Sequence, residues 1–324
     1  MPQNAQTLIL GIDGGGTKTA AAIATLSGAV LGHGEGGVGS LNSPADTLHV
    51  SLRTAVANAC KMAGLDGKTT RFASVCLGMA GYSLEQKRLD LFNALPSLIP
   101  ANFFRLEPDY RVAYQGATNG KPGVVVIAGT GAVTYARDSL NREWREDGLG
   151  FLLGDRGSGF NLGLQALRYT LELMRDGRDD AITHAVLTQI GASTQSQVLQ
   201  WIYSDFQTVR VAGLAPIIGR MADEGEPQSC SLVALMARRL RHSVREAKHR
   251  LVMAQDTAVY PMGGLWNISR FLKEEFEIPT WQFTAPWERE NENSSGRKFT
   301  ISQPEGSAVQ GALALAMQSV VVPG

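Results

Sequence analysis

At 324 residues, with 44% hydrophobic content, the chain is long enough for two ordinary domains with real cores, and 30 Lys and Arg balanced by 30 Asp and Glu leave no net charge to draw it to nucleic acid or an anionic membrane. Cys60, Cys76 and Cys230 are far apart and form no C-x-x-C, and the five histidines include no H-E-x-x-H, which argues against a disulfide framework, a zinc site or a protein-held cluster. No apolar run approaches a membrane span and Met1 to Thr7 lacks the pattern of an export signal, so a soluble, cytoplasmic protein is expected.

Leu8 to Ile12 form an apolar run that stops at Asp13 and turns through Gly14, Gly15 and Gly16 into Thr17 and Lys18. Ala20 to Leu26, with Ala29 to Leu31, read as a strand returning beside the first, so the glycines sit at a hairpin bend. Backbone without a Cβ can come close to a ligand and present N–H donors to anionic oxygens, and Asp13 places a carboxylate where hydrated Mg²⁺ could sit. A tight turn with a solvated Asp13 is the plainer alternative. A P-loop is excluded, because Gly16 is followed by Thr17 and Lys18 comes one place late. Gly34, Gly36 and Gly39 make a lone G-x-G-x-x-G with no acidic strand end at the dinucleotide-binding distance, and read as a flexible loop.

A helix is predicted from Ser43 as N-cap and Pro44 at its first position to about Ala63. Phe72 to Leu77 reads as a strand, Leu84 to Leu95 as a helix, Phe103 to Leu106 as a strand, and Asp109 as the start of a helix. Then the scheme repeats about 115 residues on: strand Gly123 to Ala128, glycine turn Gly129-Thr130-Gly131, strand Ala132 to Arg137. The duplication predicts two related α/β lobes, 1–119 and 120–324, presenting two phosphate-gripping hairpins toward one nucleotide cleft. The second half is more helical, with helices near 157–175, 178–190, 194–202, 213–224 and 229–253. Val259 to Met262 is a strand closed by Gly263 and Gly264, with a helix from about Leu265. Thr284 to Lys298 reads as an exposed, disorder-prone loop, and Glu305 to Ser319 as a buried helix able to pack back toward the first lobe. The basic run Arg238 to Arg250 carries the apolar stripe Leu235, Leu240, Val244 and Leu251, so its cations read as a solvated helix face and not as a nucleic-acid site.

Taken in order, Gly11 to Lys18, Leu77 to Gly81, Asp109, Val126 to Gly131, Gly148 to Ser158 and Met262 to Gly264 resemble the actin-like ATPase and sugar kinase superfamily over nearly the whole chain. The resemblance is to its N-acetylglucosamine kinase and benzoyl-CoA reductase activator (BadF-BadG-BcrA-BcrD) type. It implies an α/β fold of two ribonuclease H-like lobes flanking a nucleotide cleft, use of ATP and Mg²⁺, and transfer of a phosphoryl group to an amino sugar, with the 6-hydroxyl of N-acetylglucosamine as the expected acceptor. Asp13 would organise Mg²⁺ through water. Gly15, Gly16 and Thr17 would hold ATP phosphates, as would Gly129, Thr130 and Gly131, and Gly263 and Gly264 would lie against the adenosine. Asp109 takes the place of the catalytic base, with a helix N-cap as its alternative. Asn42 and Asp155 would be sugar-hydroxyl partners, with loop or cap chemistry for Asn42 and a turn for Asp155 as alternatives. A homodimer is implied by resemblance alone.

Two departures bear on the substrate. Leu149 stands where the eukaryotic-type N-acetylglucosamine kinases carry a tryptophan, and Asp155-Arg156-Gly157-Ser158 stands where Asp-Glu-Gly-Ser is usual. Loss of a tryptophan that would stack on the sugar or its acetyl group keeps glucosamine open as the substrate. A radical-dehydratase activator and a non-catalytic sugar sensor are the remaining alternatives; the cysteines do not supply the cluster pattern of the former, and the presence of Asp109 argues against the latter.

Overall fold

The computed structural model describes residues 7–278 and 298–321, so the predicted loop at 284–298 lies, apart from Lys298, outside the described residues. The chain divides into two compact units, Met1–Lys121 with Gln303–Gly324, and Pro122–Ser302.

The first unit contains β1 (Leu8–Gly14), β2 (Thr19–Thr25), β3 (Val30–Gly36), α1 (Ala45–Met62), β4 (Ser74–Met79), α2 (Glu85–Leu98), β5 (Phe104–Pro108) and α3 (Asp109–Thr118). Its sheet runs β3-β2-β1-β4-β5, antiparallel through the hairpins and parallel from β1 to β4 to β5. Gly14 pairs with Met79 and Met79 with Pro108, so the three parallel strands end level. Ligands of α/β sheets gather beyond such carboxyl ends.

The first strand is buried on both faces, which is why it reads as a continuous apolar run. Leu10 and Ile12 join Leu52 and Leu77 in one core, while Ile9 joins Cys76, Val112, Ala312 and Leu313 in another. The second core brings the last helix, which occupies Ala308–Val321, against β1: a Cβ on Gly11 would stand 2.5 Å from the Leu313 nitrogen. Residues 303–324 therefore group with the first unit, and the division near 120 falls at Lys121 and Pro122.

Three local readings change. The returning segment is two strands, β2 and β3, and Gly34 and Gly36 lie within β3 and not in a flexible loop. Cβ atoms on Gly32, Gly34 and Gly36 would stand 2.4, 2.1 and 2.1 Å from the carbonyl oxygens of Ala59, Ala55 and Ser51. Two residues of strand advance about 6.6 Å and four of helix about 6 Å, so a bare strip of β3 matches successive turns of α1. At the start of α1, Pro44 is the N-cap, extended at ψ 142°, with no side-chain capping bond, so Ser43 does not cap it.

The second unit holds β6 (Gly123–Ala128), β7 (Ala132–Arg137), β8 (Glu143–Asp147), α4 (Gly159–Arg175), α5 (Ala181–Ile190), α6 (Gln195–Tyr203), α7 (Thr208–Ala212), α8 (Ala215–Asp223), α9 (Pro227–Arg250), β9 (Ala258–Met262), α10 (Arg270–Glu277) and β10 (Thr300–Ile301). The terminal helix of the first unit is then α11. The sheet order β8-β7-β6-β9-β10 repeats that of the first unit, with the same two antiparallel and two parallel pairings. The predicted α/β class and its duplicated hairpin scheme are thus present in both sheets. The predicted helix from Leu265 is split into a 3₁₀ turn at Gly264–Asn267 and α10, whose N-cap Ser269 accepts from Leu272 N. The basic run is not wholly solvated: Arg241 and Lys248 of α9 are buried, and Lys248 Nζ donates to the carbonyls of Gln255 (2.9 Å) and Thr257 (2.8 Å).

Candidate functional site

In the first unit the glycine turn is anchored on both sides. Gly15 N donates to Lys18 O (2.9 Å), Gly39 N to Gly15 O (3.0 Å) and Ala80 N to Gly14 O (2.8 Å). Lys18 Nζ donates to Glu35, and Thr17 is exposed. A Cβ on Gly14 would stand 2.5 Å from Gly39 O, so its glycine is required by packing. Gly15 and Gly16 differ. A Cβ would meet nothing closer than 3.5 Å at Gly15 and nothing within 4 Å at Gly16, and neither has positive φ.

Asp13, the penultimate residue of β1, is half-buried. Burial first, and then the charge of Asp109, push its carboxyl up to about 7 against the opposing pull of Lys18. Asp109 is the first residue of α3; the N-cap position belongs to Pro108, which makes no side-chain capping bond. Asp109 Oδ1 accepts from Tyr110 N at 2.9 Å, and the helix N-terminus favours its negative charge. Level strand ends thus bring Asp13 and Asp109 together from positions 96 residues apart. Asn42 is exposed, with its N donating to Ser40 Oγ (3.1 Å) and its carbonyl accepting from Lys87 Nζ (3.2 Å). Its Oδ1 lies 3.3 Å from where a Cβ on Gly81 would be, which places it beside the end of the Leu77–Gly81 segment.

In the second unit the glycine turn docks on the start of α4. Gly129 N donates to Gly131 O (2.8 Å), while Gly159 N and Phe160 N donate to Gly129 O (2.8 Å) and Thr130 O (3.2 Å). A Cβ on Gly129 would meet nothing within 4 Å; one on Gly131 would stand 2.8 Å from Asp155 Oδ2, so Asp155 and this turn are neighbours. β6 and β9 also end nearly level, Ile127 pairing with Met262. Beyond β9, Gly263 is held at φ +97° with its Cβ position 2.4 Å from Ala128 O, whereas Gly264 is exposed with nothing within 4 Å.

Sequence reasoning missed Asp147, whose carboxylate accepts from the backbone of Asp155 and Arg156. Its only signal was an acidic residue at the head of the glycine-rich segment that ends in Asp155. Cys60 and Cys76 are buried free thiols, the latter pushed up to about 12 by burial, and neither is poised as a ligand or nucleophile. Among the described residues no group of three His, Cys, Asp or Glu side chains could hold a metal ion, and no helix is long and apolar enough to cross a membrane.

The chain is 27% identical over 272 residues to the N-acetylmuramic acid/N-acetylglucosamine kinase of Clostridium acetobutylicum, covering 83% of this chain and 88% of that one. It is 28% identical over 239 residues to the N-acetyl-D-glucosamine kinase of Dictyostelium discoideum, covering 68% and 72%. A solved structure from Chromobacterium violaceum, described as a candidate N-acetylglucosamine kinase, shares the fold with a TM-score of 0.77 at 24% identity, over 97% of this chain and 99% of that one. The BadF/BadG/BcrA/BcrD ATPase family model matches residues 10–277, and the chain belongs to that family.

Proposed function

We propose that this protein is an ATP-dependent amino-sugar kinase that transfers the γ-phosphoryl group of ATP to the 6-hydroxyl of N-acetylglucosamine. The observation that carries this reading is the set Gly15, Gly16, Gly129 and Gly264, each with room for a side chain and ordinary φ, yet bare. Packing does not require glycine at these four positions, and the bare backbone leaves Gly15, Gly16 and Gly129 open to phosphate oxygens and Gly264 open to the adenosine. The names of the relatives support the substrate class.

On this reading Gly15, Gly16 and Thr17 in one unit and Gly129, Thr130 and Gly131 in the other hold the phosphates, and Gly263 and Gly264 face the adenosine. Asn42 and Asp155 bind sugar hydroxyls. Asp109 accepts the proton of the sugar hydroxyl as its oxygen bonds to the γ-phosphorus and the bond to the bridging oxygen of ADP breaks. The donor set fits Mg²⁺: Asp13 is a half-buried carboxylate whose ionisation is opposed by burial and by the neighbouring Asp109, and a hydrated cation would relieve both costs. When bound, that ion supplies positive charge to the phosphates. The enzyme acts in the cytoplasm as a homodimer, whose mass light scattering would check.

A second reading, glucosamine kinase, is favoured by Leu149, which is 58% exposed and offers an aliphatic surface where the resemblance implies a stacking indole. The test is ADP release with ATP and Mg²⁺ across N-acetylglucosamine, glucosamine, N-acetylmannosamine, N-acetylmuramic acid, glucose and no sugar. Turnover greatest with N-acetylglucosamine supports the first reading, and turnover with glucosamine alone replaces it with the second. ADP release indifferent to every sugar removes the kinase, and NMR of the product identifies the phosphorylated hydroxyl.

A further inference from the structure

The segment from Asp147 to Asp155 is held in an expensive conformation. Asp147, Gly148, Gly150 and Asp155 have φ of +63°, +69°, +84° and +53°, so two non-glycine residues at the ends of one loop sit in the left-handed region. One carboxylate closes the loop. Asp147 Oδ1 accepts from Asp155 N at 2.6 Å and Oδ2 from Arg156 N at 3.0 Å, with Arg156 Nε 3.9 Å from Oδ2. The Asp147 side chain is only 10% exposed, and a Cβ on Gly154 would stand 2.2 Å from its Oδ1, so the chain passes close over it. Downstream, Ser158 N donates to Asp155 O (3.0 Å), and α4 then donates to the Gly129–Thr130 carbonyls. Asp147 is thus the first link of a hydrogen-bonded series that ends at the second glycine turn.

We propose that Asp147 is a positioning residue: by holding the 155 and 156 amides in this turn it aims the Asp155 carboxylate beside Gly131 and so sets affinity for the acceptor sugar. This rests on the reading of Asp155 as a sugar-hydroxyl partner. Two charge-assisted hydrogen bonds to consecutive amides leave Asp155 one backbone orientation, and a ligand group misplaced by even about 1 Å loses much of its effect.

The experiment is a double-mutant cycle of Asp147→Asn and Asp155→Ala, read as Michaelis constants for sugar and for ATP, with N-acetylglucosamine or glucosamine, whichever is turned over. Asparagine keeps the shape and one acceptor but turns an NH₂ toward one of the amides. Asp147→Asn is expected to raise the sugar KM roughly 10- to 100-fold, the scale of one lost charged hydrogen bond, with kcat and the ATP KM within about twofold. In the Asp155→Ala background it should add almost nothing, because both changes remove the same contact. An equal further loss in that background, or a parallel rise in the ATP KM, would mean general damage to the fold and overturn the proposal. An unchanged sugar KM in Asp147→Asn, with a raised one in Asp155→Ala, would sink the positioning role alone. An unchanged sugar KM in Asp155→Ala would remove the reading of Asp155, and the proposal with it. Should Asp147→Asn not fold, Asp147→Ser, which keeps a small polar side chain but cannot reach both amides as a carboxylate does, must give the same split, and a normal sugar KM there overturns the proposal.

Discussion

Asp109, at the start of α3, raises the proton affinity of Asp13, at the end of β1, because the level ends of β1, β4 and β5 bring two carboxylates that are remote in sequence into each other's field. Neither burial nor this repulsion favours an ionised Asp13 in the free protein, which is consistent with the proposed roles of Asp13 beside a hydrated cation and of Asp109 as general base. Replacing Asp109 by Asn should therefore do two separable things. Turnover should fall by roughly 10² to 10⁴ with little change in sugar affinity, as expected for loss of a general base. The Asp13 midpoint, followed by carboxyl NMR, should drop below about 7. Near-normal turnover would take Asp109 out of the catalytic role whatever the midpoint does.

The bare glycines make a prediction that distinguishes binding from folding. Gly16→Ala and Gly129→Ala place a methyl where no atom lies within 4 Å, so stability in urea should stay within about 0.5 kcal/mol of the parent. The ATP KM should rise in both, since the methyl occupies backbone surface assigned to phosphates. An unchanged response to ATP would remove the phosphate assignment from that turn.

Gly34→Ala should behave in the opposite way. Its Cβ would stand 2.1 Å from Ala55 O, which forces α1 off β3 at a cost of about 1–3 kcal/mol. The urea midpoint should fall, while the folded fraction keeps its ATP KM. A midpoint equal to the parent's would mean that the close approach of this helix and strand is not as described.

Burial lowers the buried Lys248 ammonium from its ordinary 10.5 to about 8, against a smaller opposing effect of Asp256. Between about pH 8 and 10.5 the unfolded chain holds a proton that the folded chain has released, so this group makes stability rise with pH across that window; below it both states are protonated and its contribution is flat. Lys248→Met removes the titration, along with two hydrogen bonds to carbonyls. Comparing urea stability at pH 7.5 and 10, the variant should gain less than the parent, and an equal gain would mean that Lys248 keeps its ordinary proton affinity.

The sequence alone determined the elements whose stability is written locally. β1 and β6 are apolar runs closed by glycine because each is buried on both faces, and α4 and α9 declare themselves by helical periodicity over many turns. The duplicated strand, glycine turn and strand was legible for the same reason, and with it the α/β class. Tertiary structure decided the rest. β8, Glu143-Trp-Arg-Glu-Asp147, has four charged residues in five and is a strand because it pairs with β7 at a sheet edge, where charge is tolerated. Gly34 and Gly36 look like a loop until α1 is laid over them, because a missing side chain records a neighbour that the strand itself does not contain. Asp13 became a perturbed carboxyl only when the sheet brought Asp109 near, and Asp147 became a clamp only when the chain turned back over it. Periodicity reports what a segment does with its own residues, whereas proximity between distant residues exists only after the sheet has assembled.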